Sequence, residues 1–143
     1  MRSDAAHRAV ADRRIFEPVH DLPRLRRSID MLETPTAIAN AEEIAAVPGV
    51  DVLLIGTNDL CAEMGIHGDF GNERVGEAYR TMIAAGRKHG KFPGMAGVYN
   101  ETIMQRYIDM GARFILGGQD AQFMAAGAAQ RTGFLRKLPV GAG

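Results

Sequence analysis

From residue 28 onward, short apolar segments alternate with longer segments whose apolar residues recur at helical spacing. The short segments predict four strands, at residues 28–33, 50–56, 92–98 and 113–118. The longer segments predict four helices, at residues 34–49, 72–90, 100–111 and 120–139. Because a helix follows every strand, the pattern predicts an α/β fold in which helices cover a sheet of parallel strands.

Local signals support the helix boundaries. Thr34 is a suitable N-cap for the first helix, and Pro35 suits its first turn. The third helix is expected to begin after Asn100, and the last to begin at Asp120. In the second helix, one face is predicted to be buried, and its members are Val75, Tyr79, Met82, Ile83 and Gly86.

Composition and charge exclude several classes of function. The 143 residues contain 17 Lys and Arg and 17 Asp and Glu, so the formal net charge is zero and no global field attracts nucleic acid or an anionic membrane. No apolar run approaches the roughly 20 residues needed to cross a bilayer. Cys61 is the only cysteine, which excludes an internal disulfide and a multi-cysteine zinc site. We therefore expect a cytoplasmic protein without nucleic-acid or membrane partners.

Residues 1–27 differ from the remainder of the chain and are predicted to form a divergent leader, either disordered or helical. Seven arginines and four acidic residues occur before residue 29, and no apolar period is sustained there. Residues 28–143 are predicted to form the folded domain. We assign no catalytic role to the basic and histidine residues of the leader, which include His7, His20, Arg24, Arg26 and Arg27.

Two carboxylates follow neighbouring strands of the predicted sheet. Glu33 ends the first strand, and Asp59 comes shortly after the second. The carboxyl ends of parallel strands meet at one edge, so the two side chains are expected to lie side by side. Unpaired carboxylates repel each other, and a divalent cation removes that repulsion. Hard oxygen ligands suit Mg²⁺ or Mn²⁺.

A simpler interpretation of the same residues involves no metal. An aspartate between a strand and a helix is often only an N-cap, and Glu33 has arginines available as partners. Spacing alone favours this simpler interpretation over a metal site.

The motifs of residues 31–66, and their order, favour the metal site. Residues 31–66, "MLETPTAIANAEEIAAVPGVDVLLIGTNDLCAEMGI", contain in order Glu-Thr, Asn-x-x-x-Ile, Gly-Val-Asp, Gly-x-x-Asp-Leu and Met-Gly. This series resembles the metal-dependent 2-oxo-acid aldolases of the HpcH/HpaI aldolase/citrate lyase family, and the likeness extends over about residues 28–138. The resemblance implies a (β/α)8 TIM barrel, of which this chain carries about four βα units, the carboxyl-terminal half.

The resemblance also implies a site and a reaction. Glu33 and Asp59 match the family's ligands for Mg²⁺, Mn²⁺ or Co²⁺, and the backbone amides of Asn58 and Asp59 match those that hold the substrate carboxylate. The metal would chelate a 2-oxo acid of the pyruvate or oxaloacetate type and stabilise its enolate during carbon–carbon bond cleavage or condensation with an aldehyde. Many members have glutamine where this chain has Met31, so that hydrogen bond to the substrate is expected to be absent.

Part of the family's catalytic machinery has no counterpart here. The family's general base is a histidine and its oxyanion-stabilising residue is an arginine, and both belong to the amino-terminal half of the barrel, so the catalytic residues are unknown. We expect a truncated or frame-shifted gene product. Two hypotheses remain, an aldolase or part of one, and a non-catalytic half-barrel that retains metal or anion binding or serves in assembly.

Three further side chains are assigned simpler roles. His67 is expected to face solvent, His89 to lie at a helix end and Cys61 to pack in the core.

The resemblance implies a homo-oligomer in which residues 120–138 are exchanged between neighbours. The apolar positions of that segment are Phe123, Met124, Phe134, Leu135 and Leu138.

Overall fold

The computed structural model describes residues 28–139. Four parallel strands form one sheet in the order β1-β2-β3-β4. The strands are β1 (Ile29–Leu32), β2 (Val52–Gly56), β3 (Phe92–Ala96) and β4 (Phe114–Ile115). The helices are α1 (Pro35–Ala39), α2 (Ala41–Ala46), α3 (Thr57–Glu63), α4 (Glu73–Lys88), α5 (Glu101–Met110) and α6 (Asp120–Leu135). The predicted α/β fold with parallel strands is confirmed.

The main hydrophobic core lies between the sheet and the helices. Strand register aligns Leu32 with Ile55 and Ile55 with Met95, so these side chains share the face covered by helices. All three are buried in the main core. The predicted buried face of α4 is confirmed, since Val75, Tyr79, Met82, Ile83 and Gly86 are all buried.

The other face of the sheet is also apolar. Val52, Leu54 and Ala96 form a small second cluster, against which Phe114 packs. Ile29 and Phe92 align with Val52 and therefore lie on this face, where each side chain is exposed. Apolar side chains on both faces are typical of the strands of a (β/α)8 barrel, whose second face forms the barrel interior.

The predicted helix at residues 34–49 is wrong in one respect, because the chain forms two short helices there. Asn40 has φ −94° and ψ 10°, and its backbone N–H donates to the carbonyls of Ile38 and Thr36. Asparagine has a lower helix propensity than alanine or leucine, which favours a break at this position, and its side chain makes no capping hydrogen bond to α2. The start of the segment is as predicted, since the Thr34 hydroxyl accepts a hydrogen bond from the amide of Ala37 and Pro35 begins α1.

The last strand and helix differ from their predicted bounds and packing. β4 has only two residues instead of the predicted six. α6 begins at Asp120 as predicted, but Gln119 occupies the N-cap position. None of the residues of α6 is buried in the single chain, and Phe123 is 63% exposed and Met124 72% exposed. The apolar side chains of α6 therefore lack a covering surface within residues 28–139.

Within residues 28–139, no helix combines the length and apolar character that crossing a membrane requires. The predicted leader at residues 1–27 lies outside the described residues.

Candidate functional site

Glu33 and Asp59 come together at the carboxyl edge of the sheet. Glu33 directly follows β1, and Asp59 lies in the first turn of α3, which begins immediately after β2. A β-carbon added at Gly56 would lie 2.6 Å from Oε1 of Glu33 and 2.7 Å from its Cγ. Glycine at the end of β2 therefore makes the room in which the Glu33 side chain lies. A larger residue at position 56 would displace that carboxylate.

The two carboxyl groups influence each other electrostatically. The pKa of Glu33 is raised, first by partial burial and then by the negative charge of Asp59 and by hydrogen bonding with the Asp59 carboxyl. Within residues 28–139, no Lys, Arg or His forms a salt bridge with either group. The simpler interpretation in which Glu33 pairs with an arginine is therefore not observed in the described part of the chain.

Two adjacent hard oxygen donors that repel each other fit a divalent cation such as Mg²⁺ or Mn²⁺. His, Cys, Asp and Glu form no cluster of three or more in the part of the chain that the structure describes. A cation held here by Glu33 and Asp59 would have two ligands from the described residues, and its other coordination positions would be open to substrate and water.

Asp59 is not the N-cap of α3, so that simpler interpretation is wrong. Gly56 occupies the N-cap position and offers no side-chain hydrogen bond, while Asp59 is the third residue of the helix. A carboxylate in the first turn interacts favourably with the helix dipole. The backbone N–H groups of Asn58 and Asp59 have no acceptor within the helix, because the first turn lacks preceding carbonyls.

A cavity of about 320 Å³ lies at this edge of the sheet. Its lining includes Gly56, Asn58 and Asp59 from the β2–α3 junction and Met31 from β1. The lining also includes Ala96, Gly97, Tyr99, Leu116, Gly118, Gln119 and Gln122. Residues at or near the ends of all four strands thus surround one space beside the carboxylates. A wider depression, of about 790 Å³, lies along α5 and shares no residue with this cavity.

Sequence reasoning missed Thr57 and Tyr79, which hold the β2–α3 junction. Thr57 is fully buried, and its Oγ1 lies 2.7 Å from the carbonyl oxygen of Ala96 and 2.8 Å from the Tyr79 hydroxyl. The available signal was a polar residue directly after an apolar strand, because a buried hydroxyl requires a partner. The identity of the partner was not available from spacing.

Cys61, His67 and His89 occupy the kinds of position that the sequence predicts for them. Cys61 is buried, and burial raises the pKa of its thiol, so its packing role is confirmed. His67 is exposed in the α3–α4 loop, as predicted. His89 is the C-cap residue of α4, with its Nε2 4.0 Å from Oε1 of Glu42. The histidines and arginines of the leader lie outside the described residues.

Comparison with known sequences identifies relatives along most of the chain. The chain is 44% identical over 110 residues to a 4-hydroxy-4-methyl-2-oxoglutarate aldolase of Hapsidospora irregularis, covering 76% of this chain and 41% of the relative. It is 34% identical over 137 residues to a 4-hydroxy-2-oxo-heptane-1,7-dioate aldolase of Salmonella arizonae, covering 94% of this chain and 52% of the relative. The chain thus spans about half the length of the curated relatives that it matches.

Solved structures show the same likeness. An HpcH/HpaI aldolase/citrate lyase family protein of Burkholderia cenocepacia superposes with a TM-score of 0.68 at 28% identity, covering 91% of this chain and 50% of that protein. An HpcH/HpaI aldolase of Desulfitobacterium hafniense superposes with a TM-score of 0.65 at 25% identity, covering 78% of this chain and 43% of that protein. The four βα units correspond to part of a barrel of the TIM type.

The family model for HpcH/HpaI aldolase/citrate lyase matches residues 24–126, which is more than half of the chain. This match confirms the resemblance seen in the motifs of residues 31–66. The chain belongs to the HpcH/HpaI aldolase/citrate lyase family.

Proposed function

We propose that this chain supplies the metal-binding part of a carbon–carbon lyase that cleaves or forms 4-hydroxy-2-oxo acids. The observation that carries the proposal is the pairing of Glu33 and Asp59 beside a cavity at the carboxyl edge of the sheet. The names of two relatives specify aldolases for 4-hydroxy-2-oxo acids, which supports this substrate class. The proposed co-substrates are a pyruvate- or oxaloacetate-type acid and an aldehyde.

In this proposal, Glu33 and Asp59 hold Mg²⁺, Mn²⁺ or Co²⁺. Such a cation supplies Lewis acidity, which offsets the negative charge that develops on a 2-oxo acid when its carbon–carbon bond breaks. The backbone amides of Asn58 and Asp59 orient the substrate carboxylate, as the family resemblance implies. Gly56 keeps the Glu33 carboxylate beside the cavity by leaving space above the end of β2. Met31 lines the cavity without a hydrogen-bond donor.

No histidine in residues 28–139 is placed to act as the general base. His89 follows the last residue of α4 and precedes β3, so it lies at the amino edge of the sheet, opposite the carboxylates. His67 is exposed in a loop. We therefore propose that the base and the oxyanion-stabilising group come from outside the described residues.

Titration of the 143-residue chain with Mn²⁺ tests the proposed metal site and its pH dependence. Only the deprotonated carboxylates bind a metal, so the affinity falls as the pH is lowered. The pKa of Glu33 is raised, so the loss begins above the ordinary glutamate value of 4.5. Isothermal titration over a series of pH values, followed by removal of the metal with EDTA, measures the effect.

Glu33→Gln is the matched control for this titration, because it keeps the size of the side chain and removes the titrating carboxylate. We expect weak binding by this variant and loss of the pH-dependent step assigned to Glu33. Absence of Mn²⁺ binding by the wild-type chain at neutral pH would contradict the proposed site. A wild-type affinity that stays constant down to the ordinary glutamate pKa would remove Glu33 from it.

We also propose that α6 mediates assembly of a homo-oligomer by exchange between neighbouring copies. Its large apolar side chains are exposed, at 63% for Phe123, 72% for Met124 and 54% for Leu135. Contiguous exposed apolar surface commonly marks an interface. A second copy that receives α6 would cover these side chains.

Sedimentation velocity at micromolar concentration tests the assembly, and we expect a dimer or larger species. Met124→Glu places a charge within the proposed interface and should shift the protein toward monomer without unfolding it, because Met124 is exposed in the single chain. Gln130→Glu adds a charge to the same helix at a polar position and should leave the assembly intact. A stable, well-folded wild-type monomer would contradict the proposal.

A further inference from the structure

Thr57 is a buried polar residue at the junction that carries the two site residues Asn58 and Asp59. It is the first residue of α3 and is fully buried. Its hydroxyl donates to the Ala96 carbonyl at 2.7 Å. Since a hydroxyl has a single hydrogen to donate, the 2.8 Å contact with Tyr79 requires the Tyr79 hydroxyl to be the donor. The result is a directed chain of hydrogen bonds from Tyr79 through Thr57 to Ala96.

Tyr79 is held rigidly as the donor of this chain. It is fully buried in α4, and its ring stacks on that of Tyr107 with 3.8 Å between centroids and 12° between planes. The Tyr107 hydroxyl takes no part in this stacking and donates instead to the carbonyl of Phe70. Burial raises the pKa of Tyr79, so its hydroxyl stays protonated. Two helices therefore fix the position of the group that donates to Thr57.

A second tether joins the next residue of α3 to the same strand end. Nδ2 of Asn58 lies 3.4 Å from the carbonyl oxygen of Gly97, which directly follows β3. Gly97 has φ +79°, and a β-carbon there would lie 2.6 Å from Nδ2 of Asn58. Adjacent residues of the first turn are thus tied to adjacent residues at the end of β3. Apart from its contact with the Glu33 carboxyl, the Asp59 side chain has no tether to another element within residues 28–139, so the backbone of the turn that Thr57 and Asn58 hold sets where it starts.

We propose that Thr57 and Tyr79 are positioning residues that fix the first turn of α3 and thereby place the Asp59 carboxylate opposite Glu33. This inference rests on the proposed function, in which Asp59 binds a divalent cation. Residues that orient metal ligands typically change metal affinity by about 10–100-fold when they are replaced. The buried hydroxyl of Thr57 has two partners, so its removal should have a larger effect than removal of the Tyr79 hydroxyl.

Mn²⁺ titration of the 143-residue chain tests this proposal with four variants. Thr57→Val removes the hydroxyl at constant volume and should weaken Mn²⁺ binding by about tenfold or more. Thr57→Ser keeps the hydroxyl and should bind close to the wild-type value. Tyr79→Phe removes the donor and should produce a smaller but measurable loss. Tyr107→Phe is the matched control, because it removes a hydroxyl from the same stacked pair without touching Thr57.

Hydrogen exchange at the Asn58 and Asp59 amides provides a second readout that needs no metal. Faster exchange in Thr57→Val and Tyr79→Phe, and not in Tyr107→Phe, is expected. Melting temperatures identify a general loss of stability, which Tyr107→Phe should share. Mn²⁺ affinity and amide exchange should distinguish Thr57→Val and Tyr79→Phe from Tyr107→Phe, even where the melting temperatures of the three variants are the same.

The outcomes distinguish this inference from the proposed function. A wild-type chain that binds no Mn²⁺ overturns the proposed function, and amide exchange then still decides whether Thr57 and Tyr79 order the turn. A wild-type chain that binds Mn²⁺, with Thr57→Val and Tyr79→Phe binding equally well, overturns only the positioning role. An equal loss in Tyr107→Phe also overturns it, because the effect would then come from the stability of α4 and α5. If Thr57→Val does not fold, the Mn²⁺ affinity of Tyr79→Phe is compared with that of Thr57→Ser. Weaker binding by Tyr79→Phe than by Thr57→Ser then supports the positioning role, and equal binding overturns it.

Discussion

Asp59→Ala is expected to lower the affinity of the chain for Mn²⁺ by at least about 100-fold, since loss of a direct ligand should exceed the loss typical of residues that only orient one. The variant leaves Glu33 as the single carboxylate donor among the residues that form the proposed site. A site with a single carboxylate competes poorly with water for a hydrated divalent cation. Isothermal titration of both proteins under identical conditions measures the change.

Glu63→Ala is the control for Asp59→Ala, because it removes an exposed carboxylate from the same helix α3. We expect it to bind Mn²⁺ as the wild type does. Asp59→Asn adds an electrostatic check without metal. The negative charge of Asp59 contributes to the raised pKa of Glu33, so the pKa of Glu33 should move toward its ordinary value in this variant. Equal Mn²⁺ affinity in wild type and Asp59→Ala would remove Asp59 from the site.

The second large effect concerns turnover by a polypeptide of these 143 residues alone. A general acid or base typically contributes 10²–10⁴-fold to a rate, and a lost oxyanion donor costs roughly 10²–10³-fold. Because neither group is identified in residues 28–139, aldol cleavage should be at least about 10²-fold slower than in a complete relative. Decarboxylation of oxaloacetate depends mainly on metal chelation and charge stabilisation, and it should survive best.

Assays of oxaloacetate decarboxylation and of pyruvate–aldehyde condensation, each with Mg²⁺ or Mn²⁺ and with EDTA, measure this difference. Co-expression with the amino-terminal half of the Salmonella arizonae relative is expected to raise the condensation rate. Glu33→Gln in the same co-expressed pair should abolish the gain and serves as the control. Full EDTA-sensitive aldolase turnover by the 143 residues alone would show that residues 1–27 supply the missing groups. Metal binding without turnover in either arrangement would favour the non-catalytic half-barrel.

Several features of the fold follow from short-range chemistry and were predictable. The alternation of apolar strands with amphipathic helices predicts a parallel sheet, because consecutive parallel strands require a crossover that packs on the sheet. Thr34 and Asn100 cap their helices through side-chain oxygens, as local hydrogen bonding dictates. Gly111 ends α5 with φ +128°, a conformation that glycine adopts without a β-carbon penalty.

The location of the candidate site was partly predictable for the same kind of reason. Glu33 and Asp59 each follow a strand, and parallel strands place their carboxyl ends at one edge. Their actual approach depends on Gly56, whose missing β-carbon leaves the space that the Glu33 side chain occupies. The break at Asn40 was missed because the low helix propensity of a single asparagine is only a weak signal in the sequence.

The network that holds Asp59 required the folded chain. Thr57, Tyr79 and Ala96 belong to three different elements and meet only because α4 packs across β2 and β3. Sequence periodicity assigns Tyr79 to a buried face, but it does not specify the atom that its hydroxyl contacts. Likewise, the apolar residues of α6 match a buried helix by composition and are exposed in the single chain. Periodicity records that a side chain prefers to be covered, whereas long-range packing and assembly select the surface that covers it.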